Sequence, residues 1–518
     1  LDAHPSSRSF TNIANESERG ALPRARTALA WAAFLCLSIL PLLPGRSVLV
    51  DAAAGVGIVL IAWRTLATPE RLAADRLLHL GLALFAATVF VSVFYPALAQ
   101  FPHTVTLANA LHAAWATVRA AVLGGLALML LRTRKDWTAA AMLLIFAVFV
   151  IVLWAPPDAW VRARLPYLDG GEARLVGTKG TAHRFAVLLY FGSLLAWLPL
   201  LCKPIRTTVL PRWAVWTGRC GAIALPAALL RKGLPATSGA AQALIALTVL
   251  LAVIGLMVWE GVARAPRRRY LLSTVTFVLC GANLALAEGR LHLALTILAS
   301  VLCLAVASRA MRRMLLPLCG LMAAGALVVL SLLPLGYIGS SMWFRVQIWK
   351  GSVALFQEHP ILGVGYGADN FRRSWQPMLP PPGEPQPSPR ARRLLSKLDA
   401  HHAHNLWLEI AAERGIVGLV GFHALWLAAL VRLGRLHRSL PPPAGRVAFL
   451  GLVTGLLLVA DGMLNHPVQG AGETYLWLLV GMGLAAGHGL NAGPVGEETR
   501  QEATGGHPPS YRPDTSVR

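Results

Sequence analysis

Residues 404–431 read HNLWLEIAAERGIVGLVGFHALWLAALV, and this stretch decides the class of the fold. From Leu406 to Val431 it is apolar enough to form a helix that crosses the roughly 30 Å of hydrocarbon in a bilayer. A polar pair, His404-Asn405, opens it, directly after a long polar stretch rich in proline. Ionisable groups at a membrane edge are costly to keep, which makes this pair a first functional candidate.

Working outward, the same apolar signature recurs along most of the 518 residues. Spans read at 27–44, 48–63, 77–98, 106–131, 138–155, 185–201, 214–230, 240–258, 270–287, 291–308, 314–336, 405–431, 446–465 and 471–489. The chain is 56% hydrophobic and only 14% charged, whereas soluble domains carry about 25% charged residues. A soluble helical protein could not cover so many helices that are apolar all round. The expectation is an all-α polytopic membrane protein with about 12–14 membrane-spanning helices.

The net charge is +23, and its distribution follows topology. Basic clusters at Arg64/Arg71/Arg76, Arg132/Arg134/Lys135, Lys203/Arg206/Arg212, Arg264 with Arg267–Arg269, Arg309/Arg312/Arg313 and Arg432/Arg435/Arg438/Arg446 all fall on the side of the N-terminus. The positive-inside rule makes that side cytoplasmic, with both termini inside. No nucleic-acid-binding motif accompanies the charge, so nucleic acid is excluded as a partner. Cys36, Cys202, Cys220, Cys280, Cys303 and Cys319 lie in or at the ends of apolar runs, without metal-type spacing, and read as small buried residues.

This divides the chain into a cytoplasmic segment 1–26, a helix bundle 27–337, a large extracytoplasmic loop 338–404, C-terminal spans 405–489 and a disordered cytoplasmic tail 490–518. The loop is unusually long, contains Pro380-Pro381-Pro382 and Pro385/Pro387/Pro389, and begins with an amphipathic stretch, Phe344 to Phe356, that reads as a helix on the membrane surface.

Three extracytoplasmic elements supply cations. They are the run Arg174 to Arg184, which includes Lys179, then Arg290 at a turn, and Arg345 in Trp343-Phe344-Arg345. Guanidinium groups converging at a membrane surface suit a diphosphate, through bidentate charge-assisted hydrogen bonds. The plain alternative for each is an arginine that snorkels to lipid headgroups. His404 is the natural base, since an imidazole accepts a hydroxyl proton near neutrality. Asn405 is placed to orient it or to bind a sugar hydroxyl, and the plain alternative is a structural histidine at a helix start. His401, His402 and His404 with Asp399 make only a weak zinc signal. Gly363-Val-Gly365-Tyr-Gly367 lacks the context of a nucleotide loop and reads as a tight turn with close backbone approach.

Together these pieces resemble the O-antigen ligase/polymerase superfamily of bacterial inner-membrane glycosyltransferases. His404-Asn405, nine residues, Gly415, two residues and Gly418 reproduce the pattern H-[NSQ]-x9-G-x-x-G. Arg345-x-x-x-Trp349 and His359-Pro360-Ile-Leu-Gly363-Val-Gly365-Tyr-Gly367 precede it, the latter similar to P-[LI]-L-G-x-G-x-G, and Arg184-x-x-x-Leu188 resembles an R-x3-L element. Arg290 stands where the family has Ser-Arg-Gly, but follows Glu288-Gly289, which leaves Arg174 as a rival for the first arginine.

The resemblance implies a GT-C-like enzyme of the Gram-negative inner membrane with its active site facing the periplasm. It implies a donor glycan on undecaprenyl diphosphate and lipid A-core as acceptor. His404, Arg290 and Arg184 would be catalytic, with Arg174, Lys179, Arg345, His401 and Asn405 binding substrate, and neither metal nor other cofactor taking part. A repeat-unit polymerase and a protein O-oligosaccharyltransferase share the His-Asn segment and remain alternatives. A transporter for a lipid-linked anion is the non-enzyme alternative. The absence of an evident internal repeat weighs against it.

Overall fold

The computed structural model describes residues 10–39, 48–67, 76–98, 107–163, 182–202, 205, 208–230, 238–286, 290–307, 335–375, 402–463 and 471–489. They form an all-α polytopic membrane protein, with no strand among them. In chain order the helices are α1 (Phe10–Ile39), α2 (Val48–Ala67), α3 (Arg76–Leu98), α4 (Leu107–Leu130), α5 (Arg134–Ala163), α6 (Ala182–Leu201), α7 (Arg212–Leu230) and α8 (Ser238–Arg264). They continue as α9 (Pro266–Leu286), α10 (Arg290–Ala307), α11 (Leu335–Glu358), α12 (Ala368–Ser374), α13 (Leu406–Ser439), α14 (Ala444–Gly462) and α15 (Ala471–Gly489).

Among the described residues, five helices are long and apolar enough to cross a membrane: α4, the 134–154 part of α5, the 245–264 part of α8, α13 and α14. Shorter apolar helical stretches occur in α1, α3, α6, α10 and α15. The expected span 314–336 lies almost wholly outside the described residues, as do the prolines of 380–389 and the tail 490–518.

Two boundaries depart from the sequence reading. The first helix starts at Phe10, upstream of the span read at 27–44, and runs through Gly20 and Pro23. The amphipathic stretch 344–356 is the later part of a longer helix, α11.

Helix α5 is enclosed mainly by α6, α7, α8 and α9. Its residues from Trp137 to Val152 are apolar on every face and almost entirely buried, the pattern of a helix surrounded by others. Beyond it, α6 packs on α9 and α10, α10 on α14, and α14 on α13 and α15, while α13 also lies along α3. Cys202, Cys280 and Cys303 are buried without a disulfide, and Cys36 and Cys220 are also free.

The ends of the bundle can be told apart by their contacts. Arg446, in the first turn of α14, donates to the carbonyls of Leu201 and Ala307 at the C-termini of α6 and α10, each at 3.5 Å. Helices α6 and α10 therefore run side by side in one direction and α14 in the other. The opposite end of the bundle collects the first turns of α6, α10 and α13 with the last turn of α14. A small second core of Ile348, Leu355, Val364, Phe371, Trp375, Ala403 and Ala412 ties α11 and α12 to that end.

Candidate functional site at one end of the helix bundle

His404 is held from both sides. On one side the Ala403 amide donates to Glu409 Oε2 at 3.1 Å, so the buried carboxylate reaches back over the start of its own helix. On the other, Asn405 caps α13, its Oδ1 accepting from Trp407 N at 3.0 Å and Leu408 N at 3.1 Å. These bonds satisfy amides that a helix start otherwise leaves open. Between the two anchors His404 adopts φ 50, a left-handed conformation unusual for a residue with a side chain. Its ring is half-buried and lies 4.2 Å, centroid to centroid, from that of His402. Strained backbone persists where its surroundings impose it, and it gathers at functional sites.

The remaining amide nitrogen, Asn405 Nδ2, donates to the Met463 carbonyl at the end of α14, at 3.1 Å. Both polar ends of this side chain are thus engaged within the protein. These bonds tie the residue next to His404 to the first turn of α13 and the end of α14.

The glycine motifs explain one another. α13 breaks at Gly415, at φ 62 and ψ −160, although the sequence reads as one continuous helix there. At the break four backbone groups of the helix find partners in residues 360–365. Val364 N donates to Ala412 O and Gly365 N to Glu413 O, both at 2.9 Å, while Ile416 N donates to Pro360 O at 2.8 Å and Val417 N to Ile361 O at 3.2 Å. The loop thereby replaces a turn of helix and no hydrogen-bonding capacity is lost. The approach is too close for side chains: a Cβ on Gly363 would sit 2.3 Å from Glu413 C, and one on Gly415 would sit 2.2 Å from Ile361 O. Irregular backbone at membrane depth is tolerated when it is buried in protein, as here.

The loop is wedged further by Tyr366. Its hydroxyl meets Thr117 Oγ1 at 2.5 Å, and the Arg414 guanidinium lies 3.8 Å from its ring centroid. The docked loop and the small core hold α11, and with it Arg345, beside the start of α13.

Of the other expected residues, Arg184 is the third residue of α6 and Arg290 the first of α10, both at the same end as His404. Arg345 is half-buried; burial pulls its guanidinium below the usual range, and the Asp461 carboxylate acts against that pull. Arg174, Lys179 and His401 lie outside the described residues.

The sequence reading missed a pair beneath these groups. His292 Nε2 lies 3.5 Å from Asp461 Oδ2, with both side chains almost fully buried at 3% and 2% exposure. His292 is two residues after Arg290, Asp461 two residues before Met463, and the Tyr190 ring of α6 lies 6.1 Å from the imidazole. The available signal was an aspartate inside the apolar run 446–465, which an intramembrane carboxylate makes conspicuous.

Residues 275–423 match the family profile described as O-antigen ligase. The match supports membership of the O-antigen ligase superfamily. It takes in Arg290, Arg345, the loop 359–367 and the segment from His404 to Gly418, and it ends before α14. No curated protein matches the chain. The apolar helices, of which five among the described residues are long enough to span a bilayer, give the matched region a multi-pass membrane setting.

Proposed function

We propose that the protein is an inverting, metal-independent O-antigen ligase that moves a glycan from undecaprenyl diphosphate to lipid A-core oligosaccharide at the periplasmic face of the inner membrane. The observation that carries this reading is the pinned His404, at the same end of the bundle as the first turns bearing Arg184 and Arg290 and the half-buried Arg345.

In the reaction, His404 takes the proton of the acceptor hydroxyl as its oxygen attacks the anomeric carbon. The bond from that carbon to the diphosphate oxygen breaks on the opposite face, and undecaprenyl diphosphate leaves. Arg184 and Arg290 stabilise the charge that grows on the leaving group, with Arg345, Arg174 and Lys179 holding the donor and His401 the acceptor. Interactions that strengthen as charge develops lower the barrier more than uniform binding does. Because cationic side chains carry this role, chelation by EDTA should leave the rate unchanged.

The test is transfer in vitro with purified protein, undecaprenyl-diphosphate glycan and lipid A-core, comparing wild type with His404→Ala. Product on lipid A-core that is lost in the variant supports the ligase. Lengthening of the glycan on the carrier lipid would make the protein a polymerase. Absence of transfer to any acceptor, with the donor still bound, would return the reading to a transporter.

A further inference from the structure

The C-terminal turn of α14 touches the first turns of both α10, which begins with Arg290, and α13, which follows His404. Asp461 faces His292 on the first turn of α10, two residues from Arg290. Met463 receives the amide of Asn405, next to His404. Gly462 packs so closely on the first turn of α13 that a Cβ there would lie 3.1 Å from Leu406 Cβ. At its other end the helix is tied by Arg446 to the C-termini of α6 and α10. α14 is thus a strut braced at both ends, with a buried carboxylate where it meets the site.

We propose that the buried His292–Asp461 pair is a positioning element that sets the spacing between His404 and Arg290, the residue that opens α10. An unpaired charge in so dry a place is costly, so the pair draws α10 and α14 together and resists their separation. Through Met463 the same turn holds the start of α13. Misplacing reacting groups by about 1 Å can cost about a hundredfold in rate, so such a brace bears directly on transfer. Neither residue touches the reacting atoms in this account. Both act through the groups they hold.

The inference rests on the proposed transferase reading, so the experiment has one arm that does not depend on activity. Asp461→Asn keeps the shape and removes the charge, and His292→Asn shortens the partner. In the transfer assay Asp461→Asn should lower kcat by about tenfold or more while KM for the acceptor stays within about twofold, because alignment is lost and the acceptor contacts are not. The double variant should be no worse than Asp461→Asn alone, the non-additivity of residues that act as a unit.

In the second arm, hydrogen exchange of the intact protein in detergent should speed up about tenfold at residues 402–408 and remain unchanged along 137–154 of α5. Wild-type kcat and wild-type exchange at 402–408 in Asp461→Asn would overturn the proposal. So would a loss of kcat accompanied by faster exchange throughout the bundle, since that marks general destabilisation. If wild type transfers nothing, the ligase reading fails, and local exchange at 402–408 still decides whether the pair braces the His404 segment.

Discussion

Replacing Gly415 with alanine should undo the join between loop 360–365 and α13, and the size of the effect can be worked out beforehand. At φ 62 and ψ −160 a side chain is strained wherever it points, at a cost on the order of 1–3 kcal/mol. The new Cβ would also lie 2.2 Å from Ile361 O and 2.3 Å from Ile361 C, which are backbone atoms that cannot swing aside. The loop must therefore lift off the helix. Four inter-segment hydrogen bonds are at stake, each worth about 1 kcal/mol net. A loss of about 3–5 kcal/mol in the stability of the docked loop is expected, since some of those bonds will find water. At 1.4 kcal/mol per factor of ten, the amides of Val364, Gly365, Ile416 and Val417 should exchange about a hundred to several thousand times faster. The control is Gly434→Ala in the same helix, where nothing lies within 4 Å of the added Cβ. There alanine should be neutral or stabilising by about 0.5–1 kcal/mol. Equal exchange in the two variants would refute the account of the break.

Asn405→Ala should cost about 1–2 kcal/mol in resistance to thermal unfolding, because it removes the cap on two amides. Asn405→Asp should keep the cap but lose the tie to Met463, so its deficit should appear in the transfer rate more than in the melting temperature. Tyr366→Phe should cost about 1 kcal/mol through the bond to Thr117, and Tyr366→Leu about 1 kcal/mol more through loss of the Arg414 stack, as measured by unfolding in detergent. Arg446→Ala, at the far end of the bundle, should lower thermal stability slightly, with KM for the acceptor unaltered.

What the sequence disclosed and what it hid divide along the range of the interactions concerned. That His404-Asn405 opens a helix was legible because Asn405 bonds to residues only two and three positions ahead. That Gly363 to Gly367 form a tight approach was legible from glycine's backbone freedom, and Gly363, Gly365 and Gly367 all have positive φ. The partner of that approach was not. Residues 406–431 read as one unbroken helix because periodicity carries no sign of a loop some fifty residues upstream that takes over the bonds of Ala412 and Glu413.

The His292–Asp461 pair lies beyond reach for the same reason, joining helices that are 169 positions apart in the chain. Each residue alone reads as a polar interruption of an apolar run. Together they change the physical problem that the site solves. His404, at the start of α13, and Arg184 and Arg290, in the first turns of α6 and α10, belong to separate rods, and nothing in their local sequence sets the distance between them. The rods are held in register by one antiparallel helix, α14, which contacts α6 and α10 at its first turn and α10 and α13 at its last. The motif residues define which chemistry is available, and a helix outside the family match sets their separation.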